Sequence, residues 1–317
     1  MEWQPDILGP AFESLELRTT RDGLQQTATL IRHVGAVTDP PGERKGTVLF
    51  LHGWSDYFFN RELAEFFAGQ GLSFYALDLH NHGRSLRPDL PGGYVADLAH
   101  YDLDIMAALE VCGMDRAPGR PLLLMGHSTG GLVASLWAAS HPDRVDGLIL
   151  NSPWLEMHGS SMVRHAARSL LAPLSMVRPK TVLRLPERGF YWRSISSEAE
   201  GEWELDDRYR PPLAFPVRAG WLSAILTGQG QVARGLRLAL PILVLMSASS
   251  SNGPLWREDM RRSDAVLDVN TMAVRALELG TSVTLERVDG ALHDVFLSPV
   301  PVREEAYDRL RRWLRTF

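Results

Sequence analysis

The chain has 317 residues, 45% of them hydrophobic and 22% charged, which excludes a disordered chain, a coiled coil and a disulfide-stapled mini-protein. A single cysteine, Cys112, leaves no internal disulfide and no cysteine-based zinc cage. The net charge of −5 argues against a nucleic-acid surface; of the 33 basic residues only Lys45 and Lys180 are lysines, and the arginines are spread along the whole chain. The longest apolar stretch, residues 238–246, is interrupted by Pro241 and is about half of what a membrane span needs. With no basic start and apolar run at the amino terminus, the expectation is a soluble, cytoplasmic protein without stable membrane insertion.

In chain order, residues 14–34 read as two strands around the turn Arg21-Asp22-Gly23, an antiparallel edge hairpin. Short continuous apolar runs follow at 48–51, 74–77, 122–125, 148–150 and 242–245, and Val283 to Val288 reads as a last strand. Runs of this kind belong to strands covered on both faces. Between them lie stripes at helical spacing: Phe59, Leu63, Phe66 and Phe67; then Val95, Leu98, Ile105 and Leu109; and at the end Ala306, Leu310, Trp313 and Leu314. Strand–helix alternation without an internal repeat predicts a mostly parallel sheet with helices on both faces. Residues 154–217 break the rhythm, with no strand-length apolar run and with prolines at 173, 179, 186, 211, 212 and 216. They are expected to form a helical cap inserted between two parts of a core, 1–153 and 218–317, because an excursion of that length is too long for an ordinary loop.

The run ending at Met125 leads into Gly126-His127-Ser128-Thr129-Gly130-Gly131 and then an alanine-rich helical stretch. This is G-x-S-x-G between a strand and a helix, where a sharp turn lifts the serine hydroxyl above the sheet and the glycines leave room for it. A serine hydroxyl needs a histidine base, which in turn needs a carboxylate to orient it. Ser128 is the candidate nucleophile, and His293, just past the last strand, is the candidate base. The oxyanion hole is expected from the backbone N–H groups of Thr129 and of Trp54, in the loop His52-Gly53-Trp54-Ser55-Asp56-Tyr57. His52 is expected to hold that loop by local hydrogen bonds. Asp78, His80 and His82 look like a metal cluster, but no further ligands stand at compatible spacing. No cofactor or metal is expected.

Leu51-His52-Gly53, Asp78 with Gly83-Arg84-Ser85, the elbow at 126–131, Asn151-Ser152-Pro153 and Gly290-Ala291-Leu292-His293 together resemble the α/β-hydrolase fold. More narrowly they are similar to its monoacylglycerol lipase and lysophospholipase branch, also labelled serine-aminopeptidase-like. The resemblance runs from about residue 14 to the end. It implies an eight-stranded sheet, a helical cap after the sixth strand, and metal-free hydrolysis of acylglycerol or lysophospholipid-like esters. It also implies a triad acid in a D-x-V-x-(D/P) context, which Asp264-Ala265-Val266-Leu267-Asp268 fits with Asp264 as the acid. Asp268, Asp259 and Glu156 remain alternatives, and Asp264 also stands where a carboxylate would cap the following helix. Two features depart from relatives: the bulky loop 54–57, and the long serine-rich stretch 247–253. The expected substrate contacts are His127 beside the nucleophile and, from the cap stripe Val163, Ala166, Ala167, Leu170, Leu171 and Leu174, chiefly Leu170 and Leu174. An aminopeptidase using Glu198 or Glu202 to hold a substrate ammonium, and a ligand-binding module without turnover, are the competing readings. The oligomeric state is not legible.

Overall fold

The computed structural model describes residues 2–21, 23–34, 44–114, 118–157, 171–185 and 188–317. Its centre is one nine-stranded sheet: β1 (Gln4–Pro5), β2 (Phe12–Arg21), β3 (Leu24–His33), β4 (Gly46–Leu51), β5 (Leu72–Asp78), β6 (Leu122–His127), β7 (Gly147–Asn151), β8 (Ile242–Ser247) and β9 (Val283–Val288). The order across the sheet is β1-β2-β3-β5-β4-β6-β7-β8-β9. The pairs from β5–β4 onward are parallel, whereas β1, β2 and β3 are antiparallel. The expected count of eight is therefore corrected to nine. The extra strand is an exposed dipeptide on the outer edge of β2, too short to carry any alternation in the sequence.

Each central strand sends alternate side chains to opposite faces, and both faces are covered. In β4, Leu49 and Leu51 join one core while Val48 and Phe50 join the other; in β8, Ile242, Val244 and Met246 face opposite to Leu243 and Leu245. That double burial is why these segments read as unbroken apolar runs. The first core is closed by α2 (Asp102–Met114), α3 (Thr129–Ser140), α5 (Ala219–Val232) and α6 (Val269–Ala276). The second is closed by α1 (Arg61–Gly69) and α7 (Val300–Leu314). The short α4 (Phe190–Ile195) lies in the long connection from β7 to β8. Among its described residues that connection holds no strand, only isolated bridges such as Val182 with Arg218.

The stripe from Val95 to Leu109 is not one helix. Asp97 caps a short 3₁₀ turn at Leu98–Tyr101, and α2 starts only at Asp102. Asp78, at the end of β5, accepts from the backbone N–H groups of Phe58 and Arg84 and pairs with the Arg84 guanidinium at 2.8 Å. Arg84 also pairs with Asp6, which ties the loop after β1 to the loop after β5. His80 bonds the buried Asp104, so the residues that resembled a metal cluster have structural partners instead.

Candidate active site

Loops at the carboxyl ends of β4, β6, β8 and β9 converge on one point, the edge of a parallel sheet where ligands are usually bound. Ser128 joins β6 to α3 with φ +52° and ψ −116°, a conformation that L residues avoid. Its geometry explains the glycines around it. A side chain at 126 would overlap the Gly130 carbonyl, and one at 130 would overlap the carbonyls of Leu51 and His52. The bend is locked by backbone bonds: Ser128 N–H donates to the Asn151 carbonyl, and Trp154 N–H and Gly131 N–H donate to the Ser128 carbonyl, each at 3.0 Å.

His293 stands over this elbow, almost fully buried. Its Nδ1 is 2.9 Å from Asp264 Oδ2 and its Nε2 is 3.0 Å from Ser128 Oγ. A carboxylate can only accept, so Nδ1–H donates to Asp264, leaving Nε2 as the acceptor for the serine hydroxyl. The loop carrying His293 is pinned from both sides. Leu292 N–H donates to Ser298 Oγ, and Asn151 receives Val295 N–H on its side-chain oxygen while donating to Asp294 at 2.6 Å.

Asp264 is wholly buried, and its second oxygen accepts from Val266 N–H at 2.8 Å and Leu267 N–H at 2.7 Å. The Asp264 backbone also pairs with residues 249 and 251 just past β8, so the chain between them loops out and returns. That detour is why the acid stands so far from its strand. The expected capping role belongs elsewhere: Asp268 caps α6 by accepting from Thr271 N–H, because the helix starts at Val269 rather than right after Asp264. Asp259 pairs with Arg257 and accepts from Ser251, while Glu156 pairs with Arg275. Neither touches His293 in the structure.

Trp54 and Thr129 both line the cavity beside Ser128. A side chain at Gly53 would come within 3.4 Å of the Ser128 Cβ, so the loop lies directly against the elbow. Thr129 is the first residue of α3, where the backbone N–H has no helical acceptor. His52 holds the loop as expected: its Nδ1 lies 2.6 Å from the Gly53 carbonyl and its Nε2 accepts from Leu79 N–H.

Above the serine is a cavity of about 680 Å³ walled by Trp54, Trp154, Met157, Val217, Trp221 and Leu222 among others. Trp54 stacks on Trp221 with ring centroids 4.4 Å apart. His127 is part of the wall, but both its ring nitrogens are engaged by the protein. Nδ1–H donates to the Asn151 carbonyl, and Nε2 accepts from the Tyr191 hydroxyl at 3.3 Å. Burial pushes its pKa below the usual histidine range, consistent with a neutral ring. Of the two expected apolar contacts, Leu170 lies outside the described residues. Leu174 is half-buried and does not line the cavity, whose apolar wall includes Leu185 and Val217 instead.

The sequence reading missed a polar cluster opposite the tryptophans. Asp56 pairs with Arg210 at 2.7 Å with both side chains buried, and the Arg210 guanidinium lies over the Tyr191 ring. Burial opposes the charge on Arg210, but the Asp56 carboxylate and Tyr191 hold its pKa above the ordinary arginine value. The neighbouring loop residues also reach into the β7–β8 connection: Ser55 Oγ accepts from Phe215 N–H, and the Tyr57 hydroxyl accepts from Asp206 N–H. Only the unusual bulk of residues 54–57 hinted at these contacts, and nothing in the sequence marked Arg210 among the other arginines.

A strained serine between strand and helix, a histidine after the last strand and a buried acid, all on a mostly parallel sheet, define an α/β-hydrolase. Residues 42–251 match the family model described as serine aminopeptidase, S33, and the chain belongs to that family. It is 25% identical over 265 residues to the monoglyceride lipase of Mus musculus, covering 81% of this chain and 82% of that one. It is 29% identical to the monoacylglycerol lipase of Mycolicibacterium smegmatis over 150 residues, 46% of this chain and about half (51%) of that protein's length. Among solved structures, the monoacylglycerol lipase of Paleococcus ferrophilus superposes with a TM-score of 0.64 at 21% identity, over 86% of this chain and 95% of that one. A soluble variant of the Saccharomyces cerevisiae monoglyceride lipase, in complex with a substrate analog, gives 0.65 at 17% identity over 96% of each chain. At those identities the structural likeness is one of fold.

Proposed function

We propose that this protein is a carboxylic ester hydrolase acting on monoacylglycerol or lysophospholipid-like esters through an acyl-enzyme on Ser128. The observation that carries the reading is the hydrogen-bonded line Ser128–His293–Asp264 beneath a largely apolar cavity. In this mechanism His293 Nε2 takes the proton as Ser128 Oγ attacks the ester carbonyl. Asp264, held by two backbone N–H groups, fixes the imidazole tautomer and stabilises the imidazolium. The Trp54 and Thr129 N–H groups receive the oxyanion. His293 returns the proton to the departing alcohol, then activates the water that releases the acid. Residues 154–217 serve as a cap whose wall residues, Trp154, Met157, Leu185 and Val217, contact the acyl chain.

Aminopeptidase chemistry fits less well. Glu202 pairs with Arg303, and neither it nor Glu198 lines the cavity. Among the described residues the carboxylate that does, Asp56, is already neutralised by Arg210. The deciding experiment combines fluorophosphonate labelling with a panel of p-nitrophenyl esters from acetate to palmitate, run beside an amino-acyl nitroanilide. Labelling at Ser128 with ester turnover and an inert anilide is expected. An intact protein that takes no label would return the ligand-binding reading, and a preference for the anilide would return the peptidase.

A further inference from the structure

Asn151 is the last residue of β7, where the register sets it beside His127 of β6 and Leu245 of β8. It is wholly buried and does not line the cavity, yet it bonds to both segments that carry the nucleophile and the base. Its carbonyl accepts from Ser128 N–H at 3.0 Å and from His127 Nδ1–H at 3.1 Å. Its side-chain oxygen accepts from Val295 N–H at 3.1 Å, and its amide nitrogen donates to Asp294 Oδ1 at 2.6 Å. Asp294 and Val295 are the two residues that follow His293. Among the described residues, Phe296 N–H is the other donor to Asp294 Oδ1. These partners dictate the residue type. The side chain at 151 must offer an acceptor to a backbone N–H and a donor to a carboxylate, which a carboxamide does and neither Asp nor Leu can.

We propose that Asn151 is a positioning residue: its carboxamide fixes the His293 loop against the Ser128 elbow and so sets the approach of Nε2 to the hydroxyl. The inference rests on the hydrolase reading above, since it gives Asn151 a part in turnover. Ser128 and His293 stand 165 residues apart in the chain, and their 3.0 Å contact has to be held to a fraction of an ångström. A residue bonded to both segments holds that distance through the least intervening chain, and a drift of about 1 Å there costs about 10²-fold in rate. The titratable and charged groups around the Asp294 carboxylate are His127, 3.9 Å away, His293 next along the chain, and Arg210, Tyr191 and Tyr307 within reach of its field. None of these donates to the oxygen that Asn151 holds.

The test is steady-state kinetics of the intact protein on a water-soluble p-nitrophenyl ester, with chemical denaturation of each variant. Asn151→Leu keeps the carbonyl bonds to Ser128 and His127 and removes only the link to the His293 loop. Its kcat should fall about 10²-fold with KM within about twofold of wild type. Asn151→Asp keeps the acceptor for Val295 but sets two carboxylates against each other, and such a pair holds one proton between them. While that proton is present the bridge is restored. The kcat of Asn151→Asp relative to wild type should therefore be highest at acid pH and fall about tenfold or more as the shared proton leaves, a limb that a residue serving only to pack would not create. Asp294→Asn, whose oxygen still accepts from Asn151, should keep more of kcat than Asp294→Leu. Asn151→Leu/Asp294→Leu should lose no more than the larger single loss. Wild-type kcat in Asn151→Leu, a pH-independent ratio for Asn151→Asp, or losses that multiply in the double variant would overturn the proposal. Where Asn151→Leu does not fold, the pH profile of Asn151→Asp decides alone. A wild-type protein without ester turnover would overturn the hydrolase reading and this inference together, whereas turnover indifferent to the variants sinks this inference only.

Discussion

Ser128 and Asp264 occupy positions where one atom decides the outcome. Replacing Ser128 by Ala removes the hydroxyl without touching core packing, and kcat for ester hydrolysis should fall by about 10³-fold or more with the thermal transition unchanged. Asp264→Asn should cost about 10⁴-fold in kcat by upsetting the His293 tautomer. Asp268→Asn keeps a side chain able to cap α6 and should leave kcat within about twofold. Steady-state kinetics of the three variants decide the assignment, and a larger loss at Asp268 than at Asp264 would be incompatible with it. Ser128 was legible because the glycines at 126 and 130 answer a purely local steric demand. His293 was legible from its place after the last strand. Asp264 was reached only through a resemblance, because the detour from 252 to 263 separates it from the strand that supports it. The Asp56–Arg210 pair was not legible at all: its partners stand 154 residues apart, and such a pairing has no local signature.

Among the elements, the parallel strands were readable because burial on both faces writes an unbroken apolar run, whereas β1 buries nothing and left no trace. The start of the helical turns at Leu98 escaped because buried Val95 continues the helical stripe although Asp97, which caps the first turn, stands between them. The link between the loop after β4 and the β7–β8 connection is a further element-scale feature, and it predicts a coupling. Arg210→Met strands the buried Asp56 carboxylate and should destabilise the protein by about 3–5 kcal/mol, lowering kcat as the Trp54 amide loses its register. The double variant Asp56→Asn/Arg210→Met should recover part of that stability. Chemical denaturation of the single and double variants measures it, and a double variant no more stable than Arg210→Met would refute the coupling.

For the whole molecule, pH acts through histidines that the fold keeps neutral. Burial lowers the pKa of His33, His82 and His127, and His82 is further opposed by His52 at 4.8 Å. In the unfolded chain each takes up a proton near pH ~6.5. Below that value the unfolded state binds more protons than the native one, so stability falls as pH falls, by up to about 1.4 kcal/mol per pH unit for each histidine. Melting curves should therefore be level above about pH 7 and decline on acidification, with a shallower decline in His82→Asn. Stability rising towards acid would contradict the assignment.

The contacts of residues 54–57 with Asp206, Arg210, Phe215 and Trp221 also set what recombination can exchange. A chimera that takes residues 154–217 from a relative would bring foreign partners to Ser55, Asp56 and Tyr57, while Trp54 would keep Trp221, which lies outside the exchanged segment. The heritable unit in this fold is thus discontinuous. Shuffled libraries should yield active enzymes where the short loop after β4 travels with the distant segment above it, and folded but slow ones where the two are drawn from different parents.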